Sequence, residues 1–210
     1  EKQKKEQEKR ARIEEEERKE CERLEKKRKE EERLKLKQNL QHSVQNWETI
    51  CGIIKYSYLF NYYPTTCDFD ATESEWDNRW LVWNFKNTPG KTSTSAHTDA
   101  LNNVVPRLKK LLINTFGLHN LKELVLVCIP ASSQQKTSLR YKEFSQMLCS
   151  ETGMTSAYDK MTVTSERIAK HLGGTSSSMN GIEFDNDFFK GKFVILFVDI
   201  VTKGNSMLSF

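Results

Sequence analysis

The chain has 210 residues, enough for one or two domains with a real core, and its 37% hydrophobic and 30% charged residues are unevenly spread. Sixteen Lys/Arg and thirteen Glu fall in residues 1–38, which leaves the remainder near +1 of the total +4 and excludes a large nucleic-acid patch there; no apolar run approaches the ~18 residues of a membrane span, and residues 1–38 do not read as a signal peptide. The five cysteines, Cys21, Cys51, Cys67, Cys128 and Cys149, are odd in number with no Cys-x-x-Cys pair, which suggests neither a disulfide framework nor a zinc knuckle and predicts a reducing, cytoplasmic compartment.

Residues 1–40 contain no Gly or Pro and consist almost wholly of Glu, Lys, Arg and Gln, all good helix formers. Glu14/Arg18, Glu15/Lys19, Glu22/Lys26 and Glu25/Lys29 set an acid one turn before a base, the better orientation along a helix. Ile13, Leu24, Leu34, Leu36 and Leu40 do not sustain a heptad. The segment therefore reads first as a solvated linker helix, and second as a spacer or weak dimerisation arm through which the chain self-associates.

Residues 41–97 form an aromatic-rich second segment, with Trp47, then Tyr56, Tyr58, Phe60, Tyr62 and Tyr63, then Trp76, Trp80, Trp83 and Phe85. These aromatics are expected mainly in the core, with a base-stacking surface as the less favoured reading. The apolar stretch 81–85 reads either as a short strand or as a buried helical turn, and Asn87-Thr88-Pro89-Gly90-Lys91 is a turn signal. Lys86, between that stretch and the turn, is placed to reach the mouth of a crevice.

From residue 98 the pattern is α/β. Leu101, Val104, Val105, Leu108, Leu111 and Leu112 recur at helical spacing up to a stop at Gly117, and Pro106 predicts a kink or a delayed start. Residues 124–129 are a short, fully apolar strand, followed by a small-residue loop at Pro130, Ala131, Ser132 and Ser133. Residues 138–154 read as an amphipathic helix through Leu139, Phe144, Met147 and Leu148. His171 and the stretch Gly173 to Ser178 read first as a helix C-terminus and second as a flap over a substrate.

Residues 193–207 open with a second apolar strand, 193–198, read as covered on both faces. It ends in Asp199 and a loop of Thr202, Lys203, Gly204, Asn205 and Ser206. Hydroxyls, backbone N–H groups and a conformationally free glycine suit a concave nest for a phosphate. Two strands ending in Ser/Thr loops imply one crevice at their carboxyl ends.

The final stretch resembles the phosphoribosyl-pyrophosphate (PRPP) motif of type I phosphoribosyltransferases: four apolar residues, two acids, two apolar residues, then Thr-Thr-Gly-x-Thr. Thr202, Ser206 and Asp199 match the motif's Thr, Thr/Ser and second acid, while Val198 stands where the first acid belongs. Tyr62-Tyr63-Pro64, Asn84-Phe85-Lys86, Val127 to Ser132, Arg140 to Phe144 and the final motif follow the order of ComF-type, amidophosphoribosyltransferase-like proteins. Those carry a Phe-Lys or Lys-Tyr site, a Pro-Val-Pro-x-Ser strand end, an Arg-Gly-Phe-Asn-Gln helix start and the PRPP motif. Their N-terminal zinc cysteines have no counterpart here, and Arg140 lacks the Gly-Phe-Asn that follows in the family.

The resemblance implies a parallel α/β sheet of type I phosphoribosyltransferase type over residues 98–210, with residues 41–97 as a hood and residues 1–40 as a charged helix. Starting at Glu1 and stopping after the PRPP loop, the chain is expected to be a piece of a longer protein with the sheet C-terminally incomplete. It further implies that Thr202, Lys203, Gly204, Asn205 and Ser206 hold a 5′-phosphate and Asp199 the ribose hydroxyls. Lys86, Ala131, Ser132 and Arg140 fall on the pyrophosphate side, and Mg²⁺ arrives with the PRPP rather than in a protein cage. The leading expectation is a PRPP-binding phosphoribosyltransferase-like protein with PRPP or a nucleotide-like small molecule as partner. The alternatives are a catalytically inactive nucleotide- or phosphate-binding regulatory domain and a coiled-coil-linked interaction module.

Overall fold

The computed structural model describes residues 1–66, 68–164, 181–201, 204, 207, 208 and 210, with residues 2, 8 and 11 by backbone only. The chain divides into two compact units, Glu1–Ser43 and Val44–Phe210. Neither His171, the stretch from Gly173 to Ser178, Thr202, Lys203, Asn205, Ser206 nor Cys67 lies among the described residues. No described helix is long and apolar enough to cross a membrane.

The first unit is one helix, α1 (Lys2–Ser43). Its described side chains are exposed almost throughout. Glu15 pairs with Lys19 at 2.6 Å and Glu25 with Lys29 at 2.8 Å, as their spacing predicts. Arg18 turns the other way, toward Glu22 at 3.8 Å, so the expected Glu14/Arg18 and Glu22/Lys26 pairs give way to one Arg18–Glu22 pair. Each exposed pair contributes only a few tenths of a kcal/mol, about 0.3–0.5, so either arrangement serves.

The second unit opens with a small antiparallel ribbon, β1 (Glu48–Ile50) and β2 (Ile54–Tyr56). Next comes α2 (Glu73–Lys86), which resolves the ambiguous stretch 81–85 as helix. Thr72 and Glu75 form a capping box at its start, and Asn87 ends it in the left-handed conformation at φ 50°. The helix α3 (Thr94–Leu121) starts on the Ser93 cap and carries Pro106 inside it, so the proline neither delays nor ends the helix. Gly117, at φ 73° and ψ 151°, breaks it where the sequence predicts a stop, and a further helical turn follows.

Strand β3 (Leu124–Cys128) is buried at all five positions. Helix α4 (Gln134–Thr152) follows directly, N-capped by Ser133, and leads to β4 (Thr155–Ser156). A 3-10 turn, Tyr158–Lys160, precedes an antiparallel ribbon of β5 (Met161–Val163) and β6 (Ile182–Phe184). The short helix α5 (Asn186–Phe189) then feeds β7 (Phe193–Phe197).

The central sheet has the order β4-β3-β7, all parallel, with Cys128 opposite Phe197. Side chains alternate between its faces. On one face Phe197 packs into an aromatic core with Phe85 of α2 and Phe144 of α4, at ring separations of 5.7 and 4.4 Å. On the other, Val125, Val127 and Leu196 meet Ala157, Met161, Phe184, Phe188, Phe189 and Phe210. The fold is thus mixed α/β around a small parallel sheet.

The expectation of two fully covered strands is met by β3 alone. Every described position of β7 is half-buried or exposed, and Val194 is 42% exposed. The physical reason is position: β7 lies at the sheet edge, and a half-buried aromatic layer, rather than a long helix, covers its second face.

The aromatics of 41–97 also depart from expectation. Phe85 is buried, but Tyr58, Tyr63, Phe69, Trp76 and Trp80 are exposed. Periodicity explains the split in α2, where Arg79, Val82 and Phe85 face inward and Trp76 and Trp80 fall on the outer stripe.

Candidate functional site

Parallel pairing of β3 with β7 brings two strand ends side by side, and Ile129 N–H donates to Phe197 O at 2.9 Å just beyond the ladder. Three sequence-predicted residues converge there from separate elements. Lys86 comes from the last turn of α2, Arg140 from the second turn of α4, and Asp199 from two residues past β7.

Arg140 donates through Nη1 to Asp199 Oδ2 at 2.9 Å, and Lys86 Nζ lies 3.8 Å from the same oxygen. Asp199 Oδ1 accepts from the Ile200 N–H at 3.0 Å, which fixes the carboxylate plane. The cluster is largely shielded from water: the Asp199 side chain is 11% exposed, Arg140 16% and Lys86 29%. Two cations therefore share one anion.

Burial holds Lys86 below its ordinary value. The Asp199 charge pulls the opposite way, and the Arg140 charge adds to the lowering. Arg140 Nε is buried with no hydrogen-bond partner among the described residues, so one donor of the guanidinium is unsatisfied. Beneath it lies Tyr141, fully buried and with its hydroxyl pushed well up by that burial.

Local structure explains the positioning. Ser133 caps α4 by accepting from Lys136 N–H, so the helix starts at the end of the short loop after β3 and its positive N-terminal end faces that loop. Asn87 donates through Nδ2 to Leu139 O at 3.0 Å, tying the end of α2 to α4 one residue before Arg140. The sequence marks Asn87 as the start of a turn, but its tie to Leu139 has no local signal. Ala131 and Ser132 lie in the loop after β3, where Ser132 Oγ accepts from Lys136 Nζ at 3.4 Å.

Of the loop after β7, Gly204 is described; the expected phosphate ligands Thr202, Lys203, Asn205 and Ser206 lie outside the described residues. Gly204 sits at φ 72°, and a Cβ there would stand 2.5 Å from Ile50 Cδ1 of β1. Any other residue would clash as well as strain the backbone. Nothing in the local sequence around Ile50 announces this contact.

The resemblance implies that Mg²⁺ arrives with PRPP and takes few ligands from the protein. Asp199 Oδ2 is bound to Arg140 and close to Lys86, and no group of three or more His, Cys, Asp or Glu side chains converges among the described residues. Comparison of the chain with protein-family models, with curated proteins and with solved structures gives no match.

Proposed function

We propose that the crevice between the ends of β3 and β7 binds PRPP or a nucleotide-like phosphate ligand, in a PRPP-binding, phosphoribosyltransferase-like protein of type I fold working in a reducing, cytoplasmic setting. The observation that carries this reading is the convergence of Lys86, Arg140 and Asp199 at adjacent ends of parallel strands. Such strand ends are where open α/β sheets place their ligands.

The charges suit an arriving anion. Lys86 and Arg140 outnumber Asp199. A phosphate that takes Arg140 in a forked contact releases Asp199 to accept from ribose hydroxyls. The ion pair is thus an internal competitor that keeps the crevice ordered before ligand arrives. Thr202, Lys203, Gly204, Asn205 and Ser206 would hold the 5′-phosphate, and Ala131 and Ser132 would flank the pyrophosphate.

In the transfer reaction the bond from the anomeric carbon to pyrophosphate breaks and a bond to an acceptor nitrogen forms. Lys86 and Arg140 would neutralise the departing pyrophosphate. Calorimetric titration of the protein with PRPP and Mg²⁺ should show saturable binding that Asp199→Ala and Thr202→Val each weaken by about tenfold, the loss of one charge-assisted contact. Absence of binding by the wild-type protein would overturn the reading.

One observation favours a second reading, a binding domain without catalysis. Val198 replaces the first acid of the motif, and the remaining acid is engaged by Arg140. Binding of PRPP without pyrophosphate release in the presence of ammonia or nucleobases would select this regulatory role.

A further inference from the structure

The outer stripe of α2 carries Glu73, Trp76, Trp80 and Trp83, spaced three or four residues apart, with Asp77 one turn from Glu73 and Trp80 on the same face. Trp76 is 40% and Trp80 55% exposed, unusual for residues that bury so much apolar area when they can. The indoles are arranged as perpendicular walls. Trp80 meets Trp83 at 5.1 Å and 84°, and Trp76 meets Trp83 at 6.4 Å and 74°. The exposed pair Tyr63 and Phe69, edge to face at 5.3 Å, extends the aromatic surface near the start of the helix. Arg79 links the two, stacking at 4.5 Å on Trp76 while donating to Tyr63 O and Pro64 O.

The charge around this surface is one-sided. Residues 68–77 contain Asp68, Asp70, Glu73, Glu75 and Asp77 and no Lys or Arg. Glu75 is engaged in the capping box, which leaves four acids beside the aromatics. Arg79 is buried against Trp76, and Arg107 lies across the cleft that Asp77 helps to line. An acidic rim repels phosphate, so nucleic acid and anionic membrane are the wrong occupants despite the aromatic faces. Perpendicular indoles beside carboxylates match a guanidinium or ammonium group, with the ring face attracting the cation and the acid pairing with it. The Arg79 and Trp76 contact is this geometry already made within the chain.

We propose that the Trp76, Trp80 and Trp83 face of α2 docks a basic peptide segment of a partner protein. Its Arg or Lys heads stack on Trp80 and Trp83 and pair with Glu73 and Asp77. This surface is separate from the strand-end crevice and does not depend on the ligand assigned there.

The test uses the full chain and an Arg-Gly repeat peptide, followed by tryptophan fluorescence and by the indole N–H signals in NMR, with a Glu-Gly repeat as control. The Arg-Gly peptide should bind saturably and shift the indole signals. Trp80→Ala should lower its affinity by about fivefold, and Trp80→Leu, which keeps apolar bulk without a π face, by a similar factor. Asp77→Asn with Glu73→Gln should flatten the salt dependence. Because Trp80 is exposed, the circular dichroism of these variants should match wild type. The proposal is overturned by equal affinity in Trp80→Ala or Trp80→Leu. Equal binding of the Glu-Gly peptide, tighter binding of oligouridylate or anionic vesicles, or self-association that shields the indoles would overturn it too.

Discussion

Lys86 shows how one side chain reports on the crevice. Its burial beside Arg140 holds the ammonium below the ordinary lysine value of 10.5, although Asp199 lies 3.8 Å away. A lysine so placed gives up its proton earlier in the folded protein than in the unfolded chain. Between the folded value and about 10.5 the unfolded chain therefore binds more protons, and stability rises with pH across that window. Below the window the lysine is charged in both states and the folded protein bears the cost of burying it. Urea denaturation from pH 7 to 10.5 should show wild type gaining stability relative to Lys86→Met only in this alkaline window. A difference that stays flat to pH 10.5 would mean that the lysine is not held down by its surroundings. The thiols follow the same physics: burial pushes Cys149 up to about 11 and Cys128 well up, so both behave as small core residues.

Among the elements, α2 joins the capping signal, the inner aromatic core and the crevice. Thr72 Oγ1 accepts from Glu75 N–H, and Glu75 accepts in turn from Thr72 N–H. Thr72→Ala should cost about 1 kcal/mol of stability in chemical denaturation. Phe144→Ala, which empties the centre of the Phe85, Tyr141 and Phe197 cluster, should cost about 3–5 kcal/mol. If the two costs proved equal, the aromatic cluster would not be the core that its packing implies.

Strand β3 and helix α4 are legible in the sequence because an apolar run and a 3.6-residue period say the same thing as the tertiary contacts. Stretch 81–85 is ambiguous because apolar residues at nearly every position satisfy both periods; Thr72 and Glu75 are the signal that decides for helix. The strands β1, β2, β4, β5 and β6, each of two or three residues, are too short to carry a period. The exposed indoles mislead for a related reason: composition speaks of burial, but only helical phase says which side faces the core. Within the crevice, Lys86 and Asp199 are legible because each follows an apolar run, whereas Arg140, in the second turn of α4, is singled out only by the resemblance. Asn87 and Ile50 act through contacts with residues far along the chain, and no local pattern encodes them.

At the scale of the whole molecule the two units should differ sharply in local stability. Helix α1 is held by its own hydrogen bonds and exposed ion pairs, whereas β3 is buried at every position. Hydrogen exchange followed by mass spectrometry should show residues 1–43 exchanging near the rate of free peptide while 124–128 and the inner face of α4 remain protected. Comparable protection of both segments would show that α1 is stabilised by packing.

The parallel sheet also orders events in time. Strand β3 meets β4 after about thirty residues but meets β7 only after about seventy, so the closing strand belongs to the slow, long-loop class of pairings. On a ribosome, α2, α3, β3 and α4 emerge before β7 exists, and the pocket between Phe85 and Phe144 waits for Phe197 to fill it. Until then one long edge of β3 offers unpaired N–H and C=O groups beside bare apolar side chains. The nascent chain is accordingly most open to wrong pairing at the stage when its helices are complete. Arrival of β7 closes that edge and, two residues later, sets Asp199 between its two cations, so the crevice exists only once β7 has paired.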